Sequence, residues 1–239
     1  MPTNADLNSS ANSVRDAARS GVILISATLL MLAWHYFGMS EFAVGHLTSW
    51  LERTGNALFA AGAYELLSAF LLLGLIPLLI VALGLRESLP SYGLSLGVGQ
   101  RTVRLILLGA PLFALAGYIA SSDPAVTAEY PVNRAAGESV AAFAVHVACY
   151  LLFYFGWEFM FRGYLLFGIA ERHGVVIALL VQTMASSLLH IGKPTIETFL
   201  AVPAGLLWGW VALRSRSILP SFVQHATLGI TLDALIVFG

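Results

Sequence analysis

Residues 139–165 read SVAAFAVHVACYLLFYFGWEFMFRGYL. From Ser139 to Gly156 no Asp, Glu, Lys or Arg interrupts the run. A helix needs about 20 mostly apolar residues to cross the hydrocarbon core of a bilayer, so this stretch reads as a membrane span. The helical pattern then continues through Trp157, Glu158 and Arg162 to Leu165. Glu158 and Arg162 stand four apart, share one helix face and can pair directly. Arg162 can hold a carboxylate through two parallel hydrogen bonds and keeps its charge at any working pH.

Working outward, similar runs recur along the chain. Gly21–Met39 is the first span; it ends in Trp34, His35, Tyr36 and Phe37, the composition of an interfacial anchor, and reads as a retained helix. Glu41–Asn56 mixes charge with aromatics and reads as a membrane-surface or extramembrane segment. Ala63–Leu85, with Pro77 inside it, is the second span, and Val103–Ser121 the third. A polar loop, Ser122–Gly137, leads to the span at Ser139–Gly156. Val175–Leu189, Phe199–Leu213 and Ile218–Phe238 follow as the fifth, sixth and seventh, the fifth and sixth being short for a full crossing. Short, Gly- or Pro-interrupted segments suggest helices that end inside the protein, where a cavity can receive them. The expected fold is all-α, a polytopic bundle of about seven transmembrane helices. Its expected organisation is an N-terminal extension (1–20), N-terminal helices and loops (21–137) and a C-terminal core (138–239).

Composition supports the same class. Of 239 residues, 58% are hydrophobic and 10% charged, against about 25% charged in an average soluble domain; mean hydropathy is +0.83. This excludes a disordered chain, a nucleic-acid binder built on a basic surface and a disulfide-stapled module. The single cysteine, Cys149, reads as a small packing residue. With the N-terminus cytoplasmic, the inner side holds Arg15, Arg19, Arg86, Arg101, Arg104, Arg162, Arg172, Arg214 and Arg216, and the outer side only Arg53, Arg134 and Lys193. That asymmetry follows the positive-inside rule.

Ionisable residues inside apolar segments are the informative ones, because each costs roughly 2.5–3.5 kcal/mol at a helix centre on insertion scales. Glu158, Arg162, His190, Glu197, His225 and Asp233 all lie in or at the ends of such segments in the C-terminal half. His35, Glu65 and His146 are their counterparts earlier in the chain; His35, His46, His146 and His173 read as interface or loop residues, and Glu65 as a residue near its span's start. A carboxylate and two imidazoles on three helices can bind a divalent metal, or hold and deprotonate a water. Structural ion pairing (Glu158, Arg162) and interhelical hydrogen bonding (His190, His225, Asp233) are the bland alternatives. No phosphate-cradling loop, cysteine metal motif or nucleophile elbow is present, and Ser186 and Ser187 read as small residues at helix contacts.

Glu158-Phe159-Met160-Phe161-Arg162-Gly163-Tyr164-Leu165, followed by His190 and then His225, resembles the CPBP family of intramembrane proteases. That family includes the CAAX prenyl endopeptidases and the Abi-type proteins linked to bacteriocin processing and immunity. The resemblance covers roughly residues 138–237, with a weaker echo at Gly84-Leu85-Arg86-Glu87 and Tyr92-Gly93-Leu94. The family's first motif has two adjacent glutamates, the first activating water and the second pairing with the arginine. Here Trp157 takes the first place and Glu158 the second. Ser186 stands where the second motif usually has Phe, and Gly229 where the third has Asn or Asp.

The resemblance implies an intramembrane endopeptidase, dependent on glutamate or metal, that cleaves membrane-tethered peptides or C-terminal tails. By strict transfer Glu158 only pairs with Arg162 and the water-activating base is missing, so Glu197, or Glu158 itself, is the candidate general base in its place. His190 and His225 hold the water or a metal, Arg162 and His225 neutralise developing charge, and Asp233 supports from farther along its helix. A divalent metal such as zinc on His190, His225 and Glu158, or no cofactor, are both open. The partners implied are membrane lipids and a peptide or protein substrate, without nucleic acid. The place implied is a bacterial inner membrane, with the cavity opening towards the cytoplasm from the position of Arg162. Trp157 keeps a second reading open, a non-catalytic scaffold or immunity-type protein of the same family. No inverted repeat supports a transporter.

Overall fold

The computed structural model describes the backbone of residues 4–239 and the side chains of residues 16–239. Arg15 and the first part of the N-terminal extension therefore lie outside the described side chains. The chain is helical from Asn4, where α1 begins and runs unbroken to Phe37. Two short surface helices follow, α2 (Ser40–His46) and α3 (Thr48–Arg53), on the segment expected at the membrane surface. The membrane-length rods are α4 (Ala57–Leu85), α5 (Gly99–Ala120), α7 (Val140–His173), α9 (Thr195–Ser215) and α10 (Leu219–Phe238), together with the apolar part of α1. α6 (Pro124–Glu129) is a short link, and α8 (Val175–Leu188) is apolar but short. At about 1.5 Å per residue α8 reaches about 21 Å, less than the hydrocarbon core.

Among the described residues, six long apolar helices plus α8 match the expected number. The expectation of a short sixth span is corrected: α9 has 21 residues and begins at Thr195, so Glu197 lies in its first turn. The polar start Thr195-Ile196-Glu197-Thr198 hides this in a hydropathy reading, because a helix's first turn tolerates and favours polar and acidic side chains.

Local chemistry sets the helix ends. Asn56 Oδ1 accepts the Phe59 N–H (3.0 Å) to start α4, Asp123 Oδ1 accepts the Ala125 N–H (2.8 Å) to start α6, and Ser139 Oγ accepts the Ala142 N–H (3.0 Å) to start α7. Within α4, π-type turns at Phe70–Leu75 and Ile80–Leu85 flank the turn that holds Pro77. Such local unwinding re-satisfies backbone groups freed by a proline.

The second half of α7 is the hub. Phe159, Met160, Phe161, Tyr164, Leu165 and Leu166 are fully buried, packed against Ile23, Ala27 and Trp34 of α1, Leu73 of α4 and Ala178 of α8. α4 comes close enough for Gly74 and Gly156 to leave no room for side chains: a Cβ on Gly74 would sit 2.9 Å from the Gly156 Cα. Small residues at such crossings let helix backbones touch where lipid offers no hydrophobic drive. α10 packs along α5, α7 and α9. Outward side chains of α5 such as Leu107, Leu108 and Leu112 are exposed, as a lipid-facing surface requires.

The bundle has two chemically distinct ends. At one, Arg19 bonds Glu87, Arg172 meets Asp16 (2.6 Å), His173 Nε2 meets Ser20 Oγ (2.9 Å), and Arg101 donates to the Arg214 carbonyl (3.2 Å). At the other, Tyr64 donates to the Phe37 carbonyl (2.6 Å), Asn56 donates to Glu138 (2.7 Å) and Lys193 pairs with Glu129.

Candidate active site

α7 changes from α- to π-type turns after Glu158, and the wider turns run through Phe159–Phe167. Such turns are often found at functional sites. Glu158 and Arg162 straddle this junction. Both are almost wholly buried, and Arg162 Nη1 stands 3.5 Å from Glu158 Oε1. The expected pair of parallel hydrogen bonds does not form; Arg162 Nε and Nη1, and Glu158 Oε2, are buried without a hydrogen-bond partner. The same Glu158 Oε1 accepts a 2.8 Å hydrogen bond from His225 Nδ1 on α10. The His225 ring stacks on Trp208 (centroids 4.1 Å apart) and lies 4.6 Å from Tyr154, while the Arg162 guanidinium sits over Trp208 at 5.4 Å. A carboxylate that orients an imidazole, with a guanidinium beside it, is the arrangement these three residues make.

A second imidazole–carboxylate pair faces it. His190 lies in the turn between α8 and α9, which Thr198 closes by donating Oγ1 to the His190 carbonyl (2.7 Å). His190 Nδ1 meets the Ser186 carbonyl at 2.8 Å. A carbonyl only accepts, so Nδ1 carries the hydrogen and Nε2 presents its lone pair. That Nε2 is 4.0 Å from Glu197 Oε1, too far for a direct hydrogen bond. Tyr130 donates its hydroxyl to the same Glu197 oxygen at 2.7 Å. Burial, and then the neighbouring Glu197, raise the Tyr130 phenol well above its ordinary value, so it stays a donor. Burial pushes the His190 imidazole down to about 4, which keeps it neutral at physiological pH.

Both pairs border a cavity of about 400 Å³, within the usual range for ligand pockets. Arg162, Trp208, His225, Ser186, His190 and Trp157 line it, together with Asp123, Tyr130 and Glu197 towards the Lys193 end of the bundle. A side chamber of about 60 Å³ adjoins it, bordered by Glu65, Lys193 and Trp34 as well as by His190 and Glu197. Glu158 borders neither space. The expected opening towards the arginine-rich end is corrected: from Arg162 the cavity extends the other way.

Residues 139–231 match the family model described as Type II CAAX prenyl endopeptidase Rce1-like. Over that stretch the chain is similar to the CPBP family. Neither a curated protein nor a solved structure matches the chain.

The matched segment brings His190, Glu197, Glu158, Arg162 and His225 into one region, but as two pairs. Among the described residues no three His, Cys, Asp or Glu side chains converge as metal ligands. Glu158 and His225 bond each other, while His190 stands with Glu197. The donor set proposed for a metal, His190, His225 and Glu158, therefore does not fit one in this arrangement. Trp157 packs edge-on against His190, with ring centroids 5.4 Å apart. At Gly229 an added Cβ would sit 1.8 Å from the Tyr154 hydroxyl, so tyrosine oxygens occupy the space that a longer side chain there would need.

Three expectations change. Asp233 does not reach the cavity; its Oδ2 bonds His146 Nε2 at 2.8 Å, and both side chains are fully buried. His146 is thus an interior partner, not an interface residue. Glu65 is likewise interior, accepting the Ser40 N–H at 3.0 Å. Tyr130, Tyr154 and Trp208 escape the sequence reading, since aromatic residues in or beside apolar segments carry no charge signal.

Proposed function

We propose that this protein is an intramembrane endopeptidase in which Glu197 and His190 hold and activate the attacking water. The observation that supports this most is the 4.0 Å separation of His190 Nε2 from Glu197 Oε1 on the cavity wall. A lone pair facing a carboxylate oxygen is repulsive unless a donor bridges them. One water can donate a hydrogen to each, at a separation that a bridge suits and a direct bond does not.

Glu197 is the carboxylate suited to the base, because Glu158 spends its Oε1 on His225 and Arg162 and borders no open space. Water oxygen attacks the peptide carbonyl carbon while Glu197 takes the water's proton. His225, fixed by Glu158, and Arg162 line the same cavity and counter charge on the carbonyl oxygen. Glu197 then returns the proton to the leaving nitrogen as the C–N bond breaks, giving a carboxylic acid and an amine. Tyr130 holds the Glu197 carboxylate in place through both steps.

Substrates are membrane-tethered peptides or protein tails, and no metal-dependent step is included. Trp157 against His190 favours a second reading, a binding scaffold that uses the same cavity. The test is purified protein incubated with labelled membrane-tethered peptides in ¹⁸O-water, read by mass spectrometry. Peptidase action gives shortened products with solvent oxygen in the new carboxyl group. Inertness towards the whole panel, with peptide still bound, gives the scaffold.

A further inference from the structure

The seven arginines Arg19, Arg86, Arg101, Arg104, Arg172, Arg214 and Arg216 gather at one end of the bundle, where the ends of α4, α7 and α9 meet the starts of α5 and α10. Contacts tie that end together: the Val98 N–H donates to the Ser215 carbonyl (2.9 Å), and the Ile218 N–H donates to the Gly93 carbonyl (3.0 Å). The opposite end carries Arg53, Arg134 and Lys193. Lysine and arginine near span ends set orientation, and acidic residues count for little, so the seven-arginine end is cytoplasmic.

The cavity belongs to the other end. It lies between the last turns of α5 (Ala116, Ile119 and Ala120) and the first turns of α9 (Ile196, Glu197 and Leu200). Ile119, Ile196 and Leu200 are also exposed on the bundle's outer surface, so the rim between these two helices is apolar and faces lipid. Asp123, just past α5, borders the same cavity.

We infer that the cavity is served from the extracytoplasmic side, and that it takes apolar peptide segments anchored in the outer leaflet. They would enter between α5 and α9 with the polar end of the segment at Asp123. The choice of a peptide rests on the peptidase reading above; the side of access does not. Tails processed in the cytoplasm are then out of reach, whatever their lipid modification.

The test places single cysteines in the full-length chain, in a Cys149→Ala background, expressed in bacterial cells. Ser122→Cys, at the cavity end, and Ser88→Cys, at the arginine-rich end, are both exposed positions outside the catalytic groups. A membrane-impermeant maleimide on intact cells should label Ser122→Cys, and should label Ser88→Cys only after lysis. The reverse order, or equal labelling of both before lysis, overturns the inference. Ala125→Cys and Gln100→Cys repeat the pair where a first variant does not fold. Correct labelling with no peptide cleaved would remove the peptidase reading and leave the side of access standing.

Discussion

His190 Nε2 and Glu197 Oε1 face each other across 4.0 Å on the cavity wall, each held from behind by a hydrogen bond. Ser186 fixes the imidazole through its carbonyl and Tyr130 fixes the carboxylate through its hydroxyl. The pair is therefore oriented before any substrate arrives, and the reorganisation cost at the moment of reaction is small.

The pH response of His190 follows from its burial. Its folded value is lowered to about 4, whereas an imidazole in the unfolded chain titrates near 6.5. The neutral form is the one the fold favours, so the contribution is present above about 6.5 and is lost as pH falls through about 4. An imidazole NMR titration should show His190 neutral at pH 6, and cleavage should stay unaffected by this group from pH 7 to about 5. A His190 midpoint near 6.5 would contradict the site geometry.

Glu158 is expected to matter first to folding. Glu158→Gln keeps an oxygen for the His225 N–H but leaves Arg162 buried without a counter-charge. Removing one partner of a buried ion pair costs about 3–5 kcal/mol. Thermal unfolding in detergent should show that loss, and Glu158→Gln combined with Arg162→Met should recover part of it. Equal stability of the single variant and the parent would refute the pairing.

Gly229→Ala tests the packing beneath the site. The new methyl would meet the Tyr154 hydroxyl at 1.8 Å, so helix α10 or the tyrosine must shift. Overpacking of this kind costs about 1–3 kcal/mol. Because Tyr154 also touches His225, the variant should lose activity along with thermal stability, whereas Ala at the exposed Gly45, where a Cβ meets nothing within 4 Å, should leave the cavity residues unmoved.

Much of this architecture is legible in the sequence, and the reasons differ by element. Uninterrupted apolar runs such as Ser139–Gly156 declare themselves, because no soluble core needs eighteen uncharged residues in a row. The Glu158/Arg162 spacing and the two histidines identify the region of the chemistry, since buried charge in a membrane is costly. The pairing is not legible: that Glu158 turns to His225 and Glu197 to His190 depends on how α7, α9 and α10 rotate against one another. Asp233 illustrates this, lying eight residues from His225 yet bonding His146 on α7. The extent of the cavity is hidden for a related reason. A single residue such as Arg162 marks a depth in the membrane, while the direction of opening depends on the gap between α5 and α9.

The most direct measurement is the steady-state cleavage of a tethered peptide by Glu197→Gln, with folding verified by thermal unfolding. Loss of a positioned general base lowers kcat by about 10²–10⁴-fold, and KM should hardly move because the cavity walls are intact. If Glu197→Gln cleaves at the parental rate while a folded Glu158→Gln is inactive, the base is Glu158 and the account given for the His190–Glu197 pair is wrong.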